Sequence, residues 1–166
     1  GAILAPMIAN LIVSPLTPSN TARTAAMLPI VEGVAQAYRV EPGKSNFGKA
    51  LFIANTFASN ITAGGFLTAT IPNPVAIGMM VTAMGGAAVA TSWGFWALAA
   101  LPTTLVVLVG SQYVVRWIFP PEMKDIPGGL EYIEKELAAM GPTTMREKKA
   151  MLYFLLALVL WSTDMW

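Results

Sequence analysis

A polar stretch, Ser14-Pro15-Leu16-Thr17-Pro18-Ser19-Asn20-Thr21, separates two mostly apolar segments near the start of the chain. The apolar segments, residues 2–13 and 22–37, are each shorter than the ~20 residues with which a helix crosses a bilayer. Since proline breaks the interior of a helix, the prolines of the stretch fix the place where the chain turns. We therefore expect residues 1–37 to form a re-entrant hairpin that enters the membrane and turns back at the polar stretch.

The end of this stretch is predicted to begin the second helix of the hairpin. Ser19 is a residue type that caps helix N-termini, so the helix should start at about Asn20. The first N–H groups of a helix have no partner within it and carry a partial positive charge. Hydroxyl groups and an amide at such a place suit a small anion, and their oxygens could also bind a hard cation.

The composition is that of an integral membrane protein. Of the 166 residues, 55% are hydrophobic and 11% are charged, whereas soluble domains carry about 25% charged residues. The net charge of +1 offers no basic surface to a nucleic acid. Histidine and cysteine are both absent, so a catalytic acid–base set is missing and we do not expect an enzyme. Since the chain begins without Met and ends within an apolar run, we expect it to be a piece of a longer protein.

The rest of the chain is predicted to alternate between membrane segments and polar connections. Residues 47–84 form a second apolar segment, which is broken at residues 70–74 by two prolines. Residues 93–119 form a full span with tryptophans near its ends. The other parts are a loop at 38–46, a turn at 85–92, a linker with a short amphipathic helix at 120–149, and the start of another span at 150–166.

Basic residues give these segments an orientation. They cluster in the 38–46 loop and the 120–149 linker, whereas the 85–92 turn has none, so the loop and the linker are predicted to be cytoplasmic and the turn external. The predicted fold is that of an all-α membrane protein. It has a re-entrant helical hairpin, a broken transmembrane helix, one full span and one partial span.

Several motifs, in order along the chain, resemble the divalent anion:sodium symporter family. Ser19-Asn20-Thr21 resembles the Ser-Asn-Thr signature of that family. Residues 15–23 are similar to its branch of 2-oxoglutarate/malate translocators and citrate/succinate or tartrate/succinate antiporters. Motifs similar to later parts of the family pattern are Asn60-Ile61-Thr62, Phe66-Leu67-Thr68-Ala69, Pro72-Asn73-Pro74, Trp93-Gly94-Phe95-Trp96, Pro120-Pro121-Glu122-Met123 and Met140-Gly141-Pro142.

The resemblance implies part of a secondary transporter for di- or tricarboxylates, by exchange or sodium symport. It implies two inverted repeats, an elevator-like motion, a homodimer, and a bacterial inner membrane or, as the other location, a plastid envelope. This chain would hold the hairpin and broken helix of the first repeat, and so half of a binding site. By the same resemblance, Asn20 and Thr21 bind a substrate carboxylate. Ser19, Asn20 and the carbonyl of Ala69 would bind Na+ where transport depends on it.

Three more residues are assigned to the substrate site from their positions. Thr70 and Asn73 lie at the predicted break and should face the cavity, although Asn73 could instead cap the half-helix. Arg23 lies in the first turn of the second hairpin helix, where a cation is costly. It either faces the cavity and supports anion binding, or pairs with backbone carbonyls or with another helix. Glu32 cannot neutralise it, because nine residues along a helix bring it to the opposite face.

Polar residues also lie on the first half of the broken helix. Asn55 and Ser59 are expected to pack against neighbouring helices, whereas Asn60 could support the site. Two other functions stay open from the sequence: a transporter of another small anion such as sulfate, and a non-transporting membrane subunit that scaffolds partners. The scaffold needs no polar tip, so the Ser-Asn-Thr stretch argues against it.

Overall fold

The computed structural model describes residues 1–85, 92–122, 138–139 and 141–163, and this part of the chain contains helices and turns but no strand. The main helices are α1 (Leu4–Val13), α2 (Asn20–Ala37), α3 (Asn46–Gly65), α4 (Pro72–Ala83), α5 (Trp93–Ile118) and α6 (Met145–Thr163). Short 3₁₀ turns, Ser14–Leu16 and Leu67–Ala69, lie between α1 and α2 and between α3 and α4. The predicted all-helical class is confirmed. The depth of the hairpin in a membrane stays a prediction, and most of the 85–92 turn and of the predicted amphipathic helix lies outside the described residues.

The hairpin consists of α1, a 3₁₀ turn and α2. The Ser19 hydroxyl accepts a hydrogen bond from the N–H of Ala22 at 3.2 Å, so α2 begins at Asn20 behind a serine cap. Both hairpin helices pack against α3. The apolar faces of α1, α2, α3 and α5 thereby form one core, which includes Met7, Val31, Leu51 and Val115.

The break between α3 and α4 lies earlier in the chain than the sequence predicts. α3 ends at Gly65 and α4 begins at Pro72, so the break covers residues 66–71 and not 70–74. Proline is well tolerated in the first turn of a helix, because the N–H that it lacks would have no partner there. Pro72 and Pro74 therefore begin α4 and do not interrupt it.

Asn73 gives the end of α3 some of the hydrogen-bond partners that it lacks. The last carbonyl groups of a helix accept no hydrogen bond from their own helix, so they need donors from elsewhere. Asn73 Nδ2 donates to the carbonyls of Ala63 at 2.8 Å and Phe66 at 2.9 Å. The Asn73 side chain is buried. It thus caps the helix before the break.

Two other elements supply donors to the same helix end. The Ser14 hydroxyl, from the hairpin turn, donates to the carbonyl of Thr62 at 2.8 Å. The indole N–H of Trp96, from α5, donates to the carbonyl of Gly64 at 2.9 Å. The end of α3 is therefore held by side chains from the hairpin, from α4 and from α5.

Small residues let the helices around α3 approach closely. Ala50, Ala54 and Ala58 are spaced by four residues, lie on one face of α3 and are fully buried. Near the end of α3, a Cβ atom added to Gly65 would lie 3.1 Å from side-chain atoms of Thr104. The contact of α3 with α5 at this level thus depends on a glycine.

In the described part of the chain, α5 is the helix that is long and apolar enough to cross a membrane unaided. It has 26 residues, and large apolar side chains such as Leu98, Val106 and Trp117 are exposed on it at 73–83%. Such a continuous apolar face is unusual in soluble proteins and suits lipid or other membrane helices.

The last helix begins before the predicted position at residue 150. α6 starts at Met145 because Thr144 and Glu147 form a capping box. The N–H of Thr144 donates to the Glu147 carboxylate at 2.7 Å, and the N–H of Glu147 donates to the Thr144 hydroxyl at 3.3 Å. The predicted linker, residues 120–149, therefore includes the charged first turn of this helix.

Glu122, just after α5, caps the N-terminus of α3. Its carboxylate accepts hydrogen bonds from the N–H groups of Asn46 and Phe47 and from the Ser45 hydroxyl. These donors lower the pKa of Glu122 below its ordinary value, and the N–H of Asn46 has the largest effect. The start of the linker is thereby attached to α3, and α3 is held at both ends.

We expect the Glu122 cap to add stability that depends on pH. Because the carboxyl has a lower pKa when folded, the contribution is complete above its unfolded pKa, about 4.3, and is lost as the pH falls through the folded value. At pH 7, Glu122→Gln should modestly lower the Tm of the detergent-solubilised full-length protein. The difference from wild type should shrink in acid.

Glu41→Gln is the matched control for this measurement. The Glu41 carboxylate pairs with Lys44 at 3.1 Å, and both side chains are largely exposed, so its loss should hardly change the Tm. Equal Tm values for wild type and Glu122→Gln at pH 7 would contradict the capping role.

Candidate functional site

The Ser-Asn-Thr tip of the hairpin lies against α3 and the break. The Ser59 hydroxyl donates to the carbonyl of Asn20 at 2.7 Å. Asn20 Nδ2 donates to Asn60 Oδ1 at 2.7 Å. The Thr68 hydroxyl donates to the carbonyl of Pro15 in the hairpin turn at 3.1 Å. Hydrogen bonds therefore join the tip to α3, and the hairpin turn to the break.

The first turn of α2 presents N–H groups without a protein partner. Ser19 takes up two donors, the N–H of Ala22 through its hydroxyl and the N–H of Arg23 through its carbonyl. Among the described residues, no acceptor is bonded to the N–H of Asn20 or of Thr21. Thr21 is exposed and Asn20 is partly exposed, so both N–H groups are available to an anion.

The N-terminus of α4 offers fewer donors than that of α2. Pro72 and Pro74 carry no N–H, and the N–H of Asn73 donates to the carbonyl of Thr70 at 3.3 Å. Thr70 is partly buried, and its N–H has no acceptor within the described part of the chain. Of the two residues assigned to the break from sequence, Thr70 thus keeps an available donor, whereas Asn73 directs its amide to the end of α3.

Arg23 is fully buried beneath the tip, with 0% of its surface exposed. Its guanidinium donates to backbone carbonyls from three segments: Ser14 at 3.3 Å, Thr17 at 3.1 Å, Ser59 at 2.6 Å and Ala69 at 3.5 Å. The predicted contact with backbone carbonyls is therefore present, and support of anion binding by Arg23 stays a prediction. One side chain thus joins the hairpin turn, α3 and the break.

The charge of Arg23 has no counter-ion in the described residues. The ion pair found there is that of Glu41 with Lys44, and Glu32 is exposed. Arg23 Nε is buried without a hydrogen-bond partner. An arginine keeps its proton, so a full positive charge lies next to the tip, held by neutral carbonyls alone. Since a buried charge without a counter-ion is costly, a nearby anion would be stabilising.

Asn10 also forms polar contacts between α1 and α3, although the sequence analysis did not single it out. Asn10 Nδ2 donates to Asn55 Oδ1 at 2.8 Å and to the carbonyl of Pro6 at 2.9 Å. Asn55 and Ser59 are both buried, as expected for residues that pack between helices. The signal in the sequence is that Asn10 is an amide residue within the otherwise apolar segment 2–13.

A cavity of about 420 Å³ lies between the hairpin turn and the break. Apart from Thr68 and Thr70, the residues that line it are apolar, and neither Asn20 nor Thr21 is among them. Thr70 therefore lines this cavity, whereas the residues of the tip do not.

Comparison with known proteins relates this arrangement to a class of transporters. Residues 3–165 match the family model described as the sodium:sulfate symporter transmembrane region. The chain is 34% identical over 159 residues to proteins named L-tartrate/succinate antiporter from Escherichia coli (strain K12), Escherichia coli O157:H7 and Shigella flexneri. The matched region is 93% of this chain and 32% of each relative, so the chain spans about a third of their length.

These matches are to bacterial membrane transporters and not to enzymes. They confirm two predictions made from composition, that the chain is part of an integral membrane protein and that it is not an enzyme. The residues predicted to bind substrate and sodium stay predictions.

We expect Arg23→Gln to destabilise the full-length protein strongly. Each buried carbonyl left without a donor costs about 1–3 kcal/mol, so the loss of the guanidinium should lower the free energy of unfolding by roughly 3 kcal/mol or more. Arg23→Lys keeps the charge but not the planar set of donors, and should give an intermediate Tm. A Tm of Arg23→Gln equal to that of wild type would mean that these carbonyls do not depend on Arg23.

Asn73→Leu tests the role of the buried amide. It should lower the free energy of unfolding by about 1–3 kcal/mol, because the carbonyl of Ala63 loses its donor. Anion affinity, measured by ligand-induced thermal stabilisation of the full-length protein, should change little. Thr82→Val is the control, since the bond of the Thr82 hydroxyl among the described residues is to the carbonyl of Gly78 in its own helix. A large loss of affinity with unchanged stability would instead make Asn73 a ligand.

Proposed function

Because the chain belongs to the sodium:sulfate symporter family, the divalent anion:sodium symporters, we propose that its full-length protein exchanges dicarboxylates across a bacterial inner membrane without sodium. The observation that carries this proposal is the Arg23 guanidinium, which is buried beneath the tip and bonded to four backbone carbonyls. The relatives named as tartrate/succinate antiporters support exchange of small dicarboxylates.

The tip would hold one carboxylate of the substrate. The unpaired N–H groups of Asn20 and Thr21, the Asn20 amide and the Thr21 hydroxyl supply its hydrogen bonds. The N–H of Thr70 adds a donor from the break. Arg23 contributes its charge from behind the tip and Asn73 keeps the break in shape, so neither needs to touch the substrate. The second carboxylate is left to parts of the full-length protein outside this chain.

Sodium does not fit the oxygens next to Arg23. The carbonyl of Ala69, a ligand implied by the family resemblance, accepts a hydrogen bond from Arg23 Nη1 at 3.5 Å, and the Ser19 hydroxyl accepts one from Ala22. Two unit positive charges about 4 Å apart repel by about 4 kcal/mol at an effective dielectric constant of 20. That repulsion lowers cation affinity about a thousandfold. The guanidinium therefore takes the place of a coupling cation.

The hydrogen bonds around the tip favour motion as one body. Arg23 links the hairpin turn, α3 and the break, and Ser59 and Thr68 add links between the same segments. A unit joined in this way can move without exposing its internal carbonyls, which suits an elevator-like motion. The homodimer implied by the family resemblance would supply the fixed surface for that motion.

The test is transport by the purified full-length protein in proteoliposomes. Uptake of labelled succinate, L-tartrate, malate, 2-oxoglutarate and citrate is measured into empty and substrate-loaded vesicles, each with and without external Na+. We expect uptake into loaded vesicles only, with the same rate in both salts. Labelled sulfate is measured in parallel, because the family name includes a sulfate transporter.

Each other result contradicts a defined part of the proposal. Uptake into empty vesicles that requires Na+ would mean a symporter and would return Ser19, Asn20 and Ala69 to the role of sodium ligands. Transport of sulfate but of no dicarboxylate would change the substrate class. No transport of any of these anions would favour the scaffold.

A further inference from the structure

We infer that Asn60 is a positioning residue for the carboxylate site and fixes which side of the Asn20 amide faces the substrate. This inference rests on the proposed function, since it concerns how the same site presents its donors. It adds a residue of α3 to a site so far described through the hairpin tip and the break.

The orientation of the Asn60 amide is set by its own helix. Asn60 Nδ2 donates to the carbonyl of Thr56 at 2.9 Å. A carbonyl oxygen only accepts hydrogen bonds, so the NH₂ group must face Thr56 and the Oδ1 atom must face away from it. That Oδ1 atom accepts from Asn20 Nδ2 at 2.7 Å. A reversed Asn60 amide would bring two oxygens together at Thr56 and two NH₂ groups together at Asn20.

Asn20 is therefore held by consecutive residues of α3. The Ser59 hydroxyl bonds to its main-chain carbonyl at 2.7 Å, and Asn60 bonds to its side chain. The two holding residues differ in burial, because Ser59 is buried whereas Asn60 is exposed. An exposed amide contributes little to packing. The structural role of the Asn60 side chain is therefore its hydrogen bond to Asn20.

The contact determines what the tip can offer an anion. The Asn20 NH₂ group has two hydrogens, and Asn60 takes one of them. Among the described residues, the other hydrogen and the main-chain N–H groups of Asn20 and Thr21 have no acceptor, so the tip presents donors to a carboxylate. Without Asn60, the Asn20 side chain can turn and present its oxygen, which repels a carboxylate.

The experiment is a double-mutant cycle in the full-length protein, read as the KM and maximal rate of exchange for the best substrate. Asn60→Ala should raise the KM about fivefold with little change in the maximal rate, which is the effect of losing one neutral hydrogen bond. Asn20→Ala should raise it further. The double variant should match Asn20→Ala alone, because Asn60 acts through Asn20.

Thr82→Val is the control, since it removes an exposed hydroxyl that, in the part of the chain that the structure describes, bonds within its own helix α4. Its KM should equal that of wild type. An unchanged KM in Asn60→Ala would overturn the inference. The inference would also be overturned if the KM increases of Asn20→Ala and Asn60→Ala multiplied in the double variant. A lower maximal rate of Asn60→Ala with an unchanged KM would overturn it as well.

Failure of the proposed function gives a different result. If the wild-type protein transports none of the tested anions, the proposed function is wrong, and the positioning role is then read from the structure of full-length Asn60→Ala. An Asn20 amide that turns in that variant would support the role of Asn60. An Asn20 amide that keeps its wild-type orientation would overturn it.

Discussion

When α3 ends at Gly65, it leaves carbonyl groups that no residue of the same helix can satisfy. If this helix end lies at membrane depth, as the sequence predicts, no bulk water replaces the missing donors, so the protein must provide them. Ser14, Asn73 and Trp96 do so from three different segments. The helix end therefore determines how the hairpin, α4 and α5 are arranged around it. Polar side chains in an otherwise apolar chain act here as the fixed points of the fold.

Arg23 applies the same solution to the hairpin turn, α3 and the break. A guanidinium has five N–H donors in a rigid plane, so one side chain can serve carbonyls from several segments at once. It brings a positive charge to a place where neutral donors would also have satisfied the carbonyls. Under the proposed function, one residue meets both the structural requirement and the attraction for an anion, and so links the stability of the broken helix to the chemistry of the tip.

Most local signals in the sequence predict the structure correctly, whereas signals that depend on distant partners do not. The Ser19 cap and the start of α2 follow from neighbouring residues, and the family resemblance follows from motifs in order. The Thr144–Glu147 capping box was also visible but was not used. The end of α3 depends instead on Asn73, and the partners of Arg23 include a carbonyl 36 residues away. Tertiary contacts of that kind have no trace in periodicity or composition.

If the full-length protein exchanges anions as proposed, the lack of a counter-ion for Arg23 among the described residues has a consequence for the transport cycle. If the tip moves across the membrane, an empty site would carry the guanidinium charge through apolar surroundings by itself, whereas a loaded site would carry it beside a carboxylate. The unloaded crossing would therefore face the higher energy barrier. A carrier built in this way can return only with a second substrate bound, so one buried arginine would make the coupling between the two fluxes obligatory.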